Sequence, residues 1–362
     1  MDALFPGTEQ LVLCHDPEVG LRAVIAIDDT TLGPGLGGVR MKAYPSERAA
    51  ATEARRLAAA MTLKNAAADL PFGGAKAVIV VDGPVEDRDA LLRSFGRFVR
   101  RCGGAYLPGV DMGTSVRDLA VIGETADDVA CADEDPSPWT ALGVYAALRR
   151  AVLHGDDRTD LDGIVVAVQG VGHVGADLAR RLAADGARLL LADIDGARAE
   201  RLAAELGGRA VPADAIITAE CDVLAPCAAA RVIDVTTVDR LRCRFVVGAA
   251  NDVLASPTLA GALAARGVVV VPDFLANAGG VIHIHALREA WSRDALERAV
   301  LAIGDRVEHA LADAAATGRT PVESAERLAR ERIAAVRTAR DVTATVPAPD
   351  PVARTSTRPV AA

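Results

Sequence analysis

The chain has 362 residues, 51% of them apolar and 25% charged, a globular composition long enough for two cored domains. A net charge of −9 without a concentrated basic face argues against a nucleic-acid partner. No apolar run approaches the ~18 residues of a membrane span and no signal-peptide pattern opens the chain, so a cytoplasmic location is expected.

In chain order, LVLCHD (11–16) and LRAVIAIDD (21–29) read as two strands around a turn at Pro17 to Gly20. A helix is predicted over 46–68, with Ser46 placed to cap it. The strand AKAVIVV (75–81) and the helix DRDALLRSFGRFVRRC (87–102) follow. The acidic, proline-bearing CADEDPSP (131–138) reads as a hinge, because prolines end one pattern and WTALGVYAALRRAVLHG (139–155) begins a helix. Beyond it strands and helices alternate: GIVVAVQG, RLLLAD, CDVLAP, FVVGAA and GVVVVP are the apolar runs, which implies a parallel sheet covered by helices on both faces. A long helical stretch over 287–340 is expected to break at Gly318 and Pro321. The segment 341–362, rich in Pro, Thr and Ala, has little to bury and reads as a disordered tail.

Gly170, Gly172 and Gly175 stand in G-x-G-x-x-G spacing between an apolar strand and an amphipathic helix. The first permits a tight turn, the second lets backbone approach a pyrophosphate, and the third allows close helix packing with the helix N-terminus facing the anion. Asp193 ends the second strand, where a carboxylate accepts hydrogen bonds from ribose hydroxyls and repels a 2′-phosphate. No arginine follows before Arg198, so a Rossmann-type domain binding NAD rather than NADP is expected.

Of the 40 Lys plus Arg, only Lys42, Lys64 and Lys76 are lysine, so the chain fills generic cation positions with arginine. Lysine differs in being able to lose its proton when desolvated. On a helical wheel Leu57, Met61 and Lys64 share one face while Arg48, Arg55 and Arg56 point largely the other way, which places Lys64 on the apolar face. An ammonium there needs an anion, either a substrate carboxylate or a local Asp or Glu. Lys76 follows the Gly73-Gly74 turn at the head of a strand. A second cation beside it in an apolar cleft would lower its pKa and make it a usable base near neutral pH.

LGPGLGGVR (32–40), MTLKNAAADLPFGGAKAVI (61–79), GVDMGTS (109–115), DPSPWTALGVY (135–145), the glycine turn, APCA (225–228), GAAND (248–252) and ANAGGVIH (276–283) together resemble the amino acid dehydrogenases that act on leucine, valine, phenylalanine and glutamate. The resemblance covers nearly the whole chain before the tail. It implies an α/β substrate-binding and oligomerisation domain over 1–135, a Rossmann domain with C-terminal helices over 136–340, a cleft between them, and a homo-oligomer. It also implies reversible oxidative deamination: hydride leaves Cα for the nicotinamide, and water hydrolyses the resulting imine to a 2-oxo acid and ammonia.

By the same resemblance Lys64 binds the substrate α-carboxylate, Lys76 is the base that activates water, and Asp111 shuttles protons with the amino group. Asp111 by itself also fits a loop turn. Gly37 and Gly38 would line the pocket through their backbone. Thr140, His173, Val174, Ala249, Asn251 and Asn277 match positions near the cofactor, with Asn251 also reaching substrate. His283 and His285 have no further ligands nearby and read as pocket or core residues, and Cys227 as a packed thiol. The six cysteines form no CxxC pair, and neither a disulfide framework nor a metal is expected.

The positions that would meet the substrate side chain, Leu36, Met61, Gly109, Val281 and Ile284, are apolar or small, so glutamate is disfavoured. Gly109 and the GGVIH run with His283 look closer to phenylalanine enzymes. Leu36 with Gly37-Gly38, and Val281, look closer to leucine and valine enzymes. Phenylalanine is slightly favoured because Gly109 leaves room; Trp139 departs from the pattern. A reading of another class, a non-catalytic NAD-binding regulator, would need none of Lys64, Lys76 and Asp111.

Overall fold

The computed structural model describes residues 7–130, 134–154 and 160–345. The expected hinge therefore falls partly outside the described residues, as do Cys131 and the segment 346–362.

The first sheet holds β1 (Gln10–Asp16), β2 (Leu21–Asp29), β3 (Gly35–Lys42), β4 (Gly73–Val80) and β5 (Tyr106–Val110), in the order β1-β2-β4-β3-β5. β1 pairs antiparallel with β2 and β2 with β4, whereas β3 runs parallel to both β4 and β5. α1 (Glu47–Ala67) covers one face; α2 (Arg88–Arg101) and α3 (Val116–Gly123) cover the other. β4, GGAKAVIV, is buried at every position because both its faces are covered.

Ser46 caps α1 by accepting from the Ala49 amide. The face of α1 that meets the sheet is Ala50, Ala54 and Ala58 continuing to Thr62, and not the Leu57–Met61–Lys64 face read from the wheel. The reason is steric: a Cβ on Gly74 would lie 2.1 Å from the Thr62 amide nitrogen, so helix and strand touch backbone to backbone and only small side chains fit between them. Leu57, Met61 and Lys64 are half-buried instead, on a neighbouring face.

α4 (Ser137–Leu153) leads into the second sheet, all parallel: β6 (Val165–Gln169), β7 (Arg188–Ala192), β8 (Arg209–Ala210), β9 (Val223–Pro226), β10 (Phe245–Val246) and β11 (Val269–Val270). Its order, β11-β10-β9-β6-β7-β8, reverses direction between β6 and β9, which opens a crevice at the strands' C-terminal ends. α5 (His173–Ala184), α6 (Gly196–Leu206) and α7 (Thr258–Ala265) alternate with these strands.

α8 (Asp273–Ala276), α9 (Gly279–Arg288), α10 (Arg293–Leu301), α11 (Ile303–Thr317) and α12 (Pro321–Thr345) complete the chain. The expected break falls at Gly318, which closes α11 with φ 69°. A further break at Ala290, with φ 50°, separates α9 from α10, so the helical stretch starts as separate helices rather than one. α12 continues to Thr345, so the first five positions of the segment expected as a tail are helical, and 346–362 lie outside the described residues. The helix packs back on the first domain: Arg332 donates to the carbonyls of Ala66 and Leu70, both at 3.1 Å, and pairs with Asp69. No helix among the described residues is long and apolar enough to cross a membrane.

Candidate active site

Side chains alternate across a strand, so Lys76 shares its face of β4 with Val78 and Val80 and points toward the α1 side of the sheet. β5 ends at Val110, which delivers Asp111 beside it. Lys76 Nζ lies 2.8 Å from Asp111 Oδ2, and both groups are largely buried. A Cβ on Gly38 would fall 2.6 Å from the Asp111 Cβ and 3.3 Å from Lys76 Nζ, so only glycine fits against this pair. Gly37 points the other way, into the β4 backbone, and its carbonyl accepts from the Tyr106 hydroxyl at 3.1 Å.

A second cation does lie beside Lys76. Arg40, two residues beyond Gly38 on the same strand face, donates through Nε to Asp111 Oδ2 at 2.8 Å and through Nη1 to Glu53 Oε1 at 2.6 Å. Burial pushes the Lys76 ammonium pKa down; Asp111 opposes the shift and Arg40 adds to it. Burial would raise the Asp111 carboxyl, but Lys76 and Arg40 outweigh it and hold the group below the usual carboxylate range. A buried amine with a depressed pKa against an ionised carboxylate is an acid–base pair suited to neutral pH.

Lys64, near the end of α1, reaches across the cleft and donates to Asn251 Oδ1 at 3.0 Å. Asn277 donates to the same oxygen at 2.9 Å and to the Ala249 carbonyl at 3.0 Å, while its own Oδ1 is buried without a protein partner. Burial pushes the Lys64 pKa down to about 8, against the attraction of Asp273 and with the repulsion of Lys76. The group is thus charged at neutral pH and loses its proton just above it. Beside this contact Arg56 pairs with Asp252 at 2.5 Å, also across the cleft.

The floor between the domains is apolar. Leu36, Phe72 and Leu107 of the first domain join one cluster with residues of α4 and α9, and Val281 and Ile284 pack against it. Met61 is half-buried on α1, one turn before Lys64. Gly109 pairs with Gly38 across β3 and β5, and a Cβ there would meet Ala130 only at 3.7 Å, an ordinary contact. His285 lies edge-on between Phe72 at 5.4 Å and Trp291 at 5.1 Å. Trp139, which departs from the family pattern, stacks on the buried His283 at 5.9 Å.

At the second sheet Gly170 adopts φ 89°, a left-handed conformation that favours glycine. Gly172 caps α5, and a Cβ there would meet nothing within 4 Å, so its backbone and the helix N-terminus face open space, as a pyrophosphate requires. His173 is exposed there and pairs with Asp135 at 3.2 Å, whereas Val174 packs on the core. Asp193 Oδ2 accepts from the Val171 amide and Oδ1 from the Asp195 amide, both at 2.9 Å, so it braces the turn; Arg198 stands 3.5 Å away. Thr140, at the start of α4, donates to the Pro136 carbonyl at 3.2 Å and abuts Gly280. Cys227 is held protonated, its pKa pushed up to about 11 by burial, which suits a packed thiol. These residues fit a dinucleotide: a crevice, a bare helix N-terminus and an acid at the ribose position.

Gly175 carries the sharpest steric constraint in this turn, since its Cβ would sit 1.9 Å from the Gly170 carbonyl oxygen. Gly175→Ala is expected to cost ~1–3 kcal/mol in stability and to weaken nucleotide binding. Thermal melting and NADH titration of the variant read both effects; an unchanged affinity would refute the close-packing role.

Sequence reasoning singled out neither Arg40 nor Glu53. The signal for Arg40 was its two-residue spacing from Gly38 on one strand face. Nothing local marks Glu53. Among the described residues no group of three or more His, Cys, Asp or Glu could hold a metal ion.

Comparison with known proteins gives a consistent picture. Residues 8–128 match the Glu/Leu/Phe/Val dehydrogenase dimerisation domain, and residues 191–340 match the glutamate/leucine/phenylalanine/valine dehydrogenase domain. The chain is 40% identical to a leucine dehydrogenase of Thermoactinomyces intermedius, covering 92% of each chain. It is 36% identical to a phenylalanine dehydrogenase of the same organism, over 90% of this chain and 92% of that one. The crystal structure of L-tryptophan dehydrogenase from Nostoc punctiforme superimposes with a TM-score of 0.82 at 34% identity, covering 92% of this chain and 97% of the other.

Proposed function

The chain belongs to the glutamate/leucine/phenylalanine/valine dehydrogenase family, and from that premise we propose that it oxidatively deaminates an apolar L-amino acid with NAD, reversibly, to the 2-oxo acid and ammonia. It is an amino acid dehydrogenase, an oxidoreductase acting on CH–NH2 groups that uses a nicotinamide cofactor. The observation that carries the finer reading is the buried Lys76–Asp111 pair, 2.8 Å apart, in the cleft that Lys64 spans.

In this reading Lys64 exchanges Asn251 Oδ1 for the substrate carboxylate and fixes Cα. Asp111, an ionised carboxylate, takes a proton from the substrate ammonium. The glycine turn would hold the cofactor's pyrophosphate and Thr140, Asn251 and Asn277 would stand beside its nicotinamide, which when bound would accept the hydride from Cα. Lys76, deprotonated, takes the proton of the water that attacks Cα, and Asp111 returns a proton to the departing ammonia. The apolar floor of Leu36, Val281 and Ile284 leaves no cation for a second carboxylate.

Phenylalanine is the favoured substrate because Gly109 adds no bulk beside that floor. Leucine or valine is the second reading, favoured by the 38–40% identity to leucine dehydrogenases. NAD is preferred to NADP because Asp193 presents a carboxylate at the ribose position. The substrate-binding and oligomerisation domain is assigned to 1–135 and the Rossmann domain to 136–340; the exposed edge strand β1, with Leu13 outward, is the assigned contact of a homo-oligomer.

Initial rates of NADH formation with L-phenylalanine, L-leucine, L-valine and L-glutamate test these assignments. Phenylalanine is expected to give the highest kcat/KM and glutamate no turnover. Turnover with glutamate would refute the apolar pocket, and faster rates with NADP would refute the role of Asp193.

A further inference from the structure

We propose that Arg40 is a positioning residue that sets the proton affinity of Lys76 by taking a share of the Asp111 carboxylate, and that Glu53 tunes it from behind. The inference rests on the assignment of Lys76 as base.

A lysine paired one-to-one with a buried carboxylate is held charged, because the carboxylate favours the ammonium; such a lysine makes a poor base. Here Asp111 is not reserved for Lys76. Its Oδ2 accepts from Lys76 at 2.8 Å and from Arg40 Nε at 2.8 Å, and Arg40 Nη2 also approaches Oδ1 at 3.4 Å. The guanidinium cannot deprotonate, so it cancels much of the Asp111 charge at every working pH. Glu53 holds the other side of Arg40 at 2.6 Å and meets Lys42 at 3.4 Å, which fixes the guanidinium plane.

The charged groups that act on Lys76 are Arg40 of β3, Asp111 beyond β5, and Glu53 and Lys64 of α1, with Asp252 and Asp273 facing Lys64 across the cleft. Asp28 of the neighbouring β2 accepts from Thr62 at 2.7 Å, Tyr44 faces Arg40 and Glu53, and Tyr106 of β5 lies on the other face of the sheet. Of these, Arg40 and Lys64 repel the Lys76 proton. Asp111 and Glu53 attract it. Removing Arg40 therefore strengthens the hold on that proton, and removing the Glu53 charge weakens it.

The test is the pH dependence of kcat/KM for wild type, Arg40→Gln, Arg40→Lys and Glu53→Gln, using L-phenylalanine and L-leucine with NAD. The limb at lower pH, where the base must lose its proton, is expected to move upward by about one unit in Arg40→Gln, a roughly tenfold loss relative to wild type near neutral pH that narrows as pH rises. Arg40→Lys keeps the cation and is expected to hold the limb close to wild type. Glu53→Gln is expected to move it downward. Opposite shifts separate electrostatic tuning from damage to the fold, which would lower activity in both variants at every pH. Unmoved limbs, or shifts of the same sign, would overturn the inference. An active Lys76→Arg enzyme would overturn the underlying assignment of the base instead.

Discussion

Replacing Lys76 by arginine is expected to abolish turnover, lowering kcat by about 10²- to 10⁴-fold, the range set by loss of a positioned acid–base group. The charge is retained, so the ion pair with Asp111 has a substitute and the second domain is untouched. What is lost is the ability to give up a proton. Steric room is short as well, because even a Cβ on Gly38 would stand 3.3 Å from Lys76 Nζ. NADH binding, followed by fluorescence, is expected to remain at the wild-type level. Steady-state kcat for the variant decides the matter, and near-normal turnover would remove the case for a deprotonated base.

Lys64→Ala is expected to act on the other kinetic constant. Truncating one partner of a charge pair that forms in the substrate-filled cleft costs ~2–5 kcal/mol, so KM for the amino acid should rise by roughly two orders of magnitude with a smaller change in kcat. The pH dependence follows from the depressed pKa, about 8. The charged form, which in the proposed role holds the carboxylate, dominates below that value and is lost as pH rises through it. Wild-type kcat/KM is therefore expected to fall on the alkaline side, and Lys64→Arg, charged throughout, to flatten that fall. A rise in kcat effects alone, with KM unchanged, would contradict carboxylate binding.

The two lysines were visible in the sequence because the chain uses arginine almost everywhere else. Their surroundings were only partly so. The wheel put Lys64 on the face taken to be buried, yet alanines occupy the face against the sheet, because the glycine in β4 draws the helix to backbone contact. Leucine, methionine and lysine are too large for that gap and turn to a half-buried face. Amphipathic reading takes the largest apolar residues as the core; close packing reversed it here.

Asn251 was identified by resemblance, but its contact with Lys64 spans 187 positions and belongs to the meeting of two domains. Arg40 and Asp111 are 71 positions apart and meet because β3 and β5 lie side by side in a sheet whose order departs from chain order. No local periodicity carries that information.

By itself the sequence determined the elements whose causes are local: the capped helix after Ser46, the strand–glycine turn–helix unit at Gly170, and the acid at Asp193. These depend on backbone conformation and on periodicities of a few residues. Only the tertiary structure decided which charges share a carboxylate and how far each lysine is held from its ordinary pKa. Those quantities depend on burial and on distances between groups that the chain keeps far apart until the sheets form.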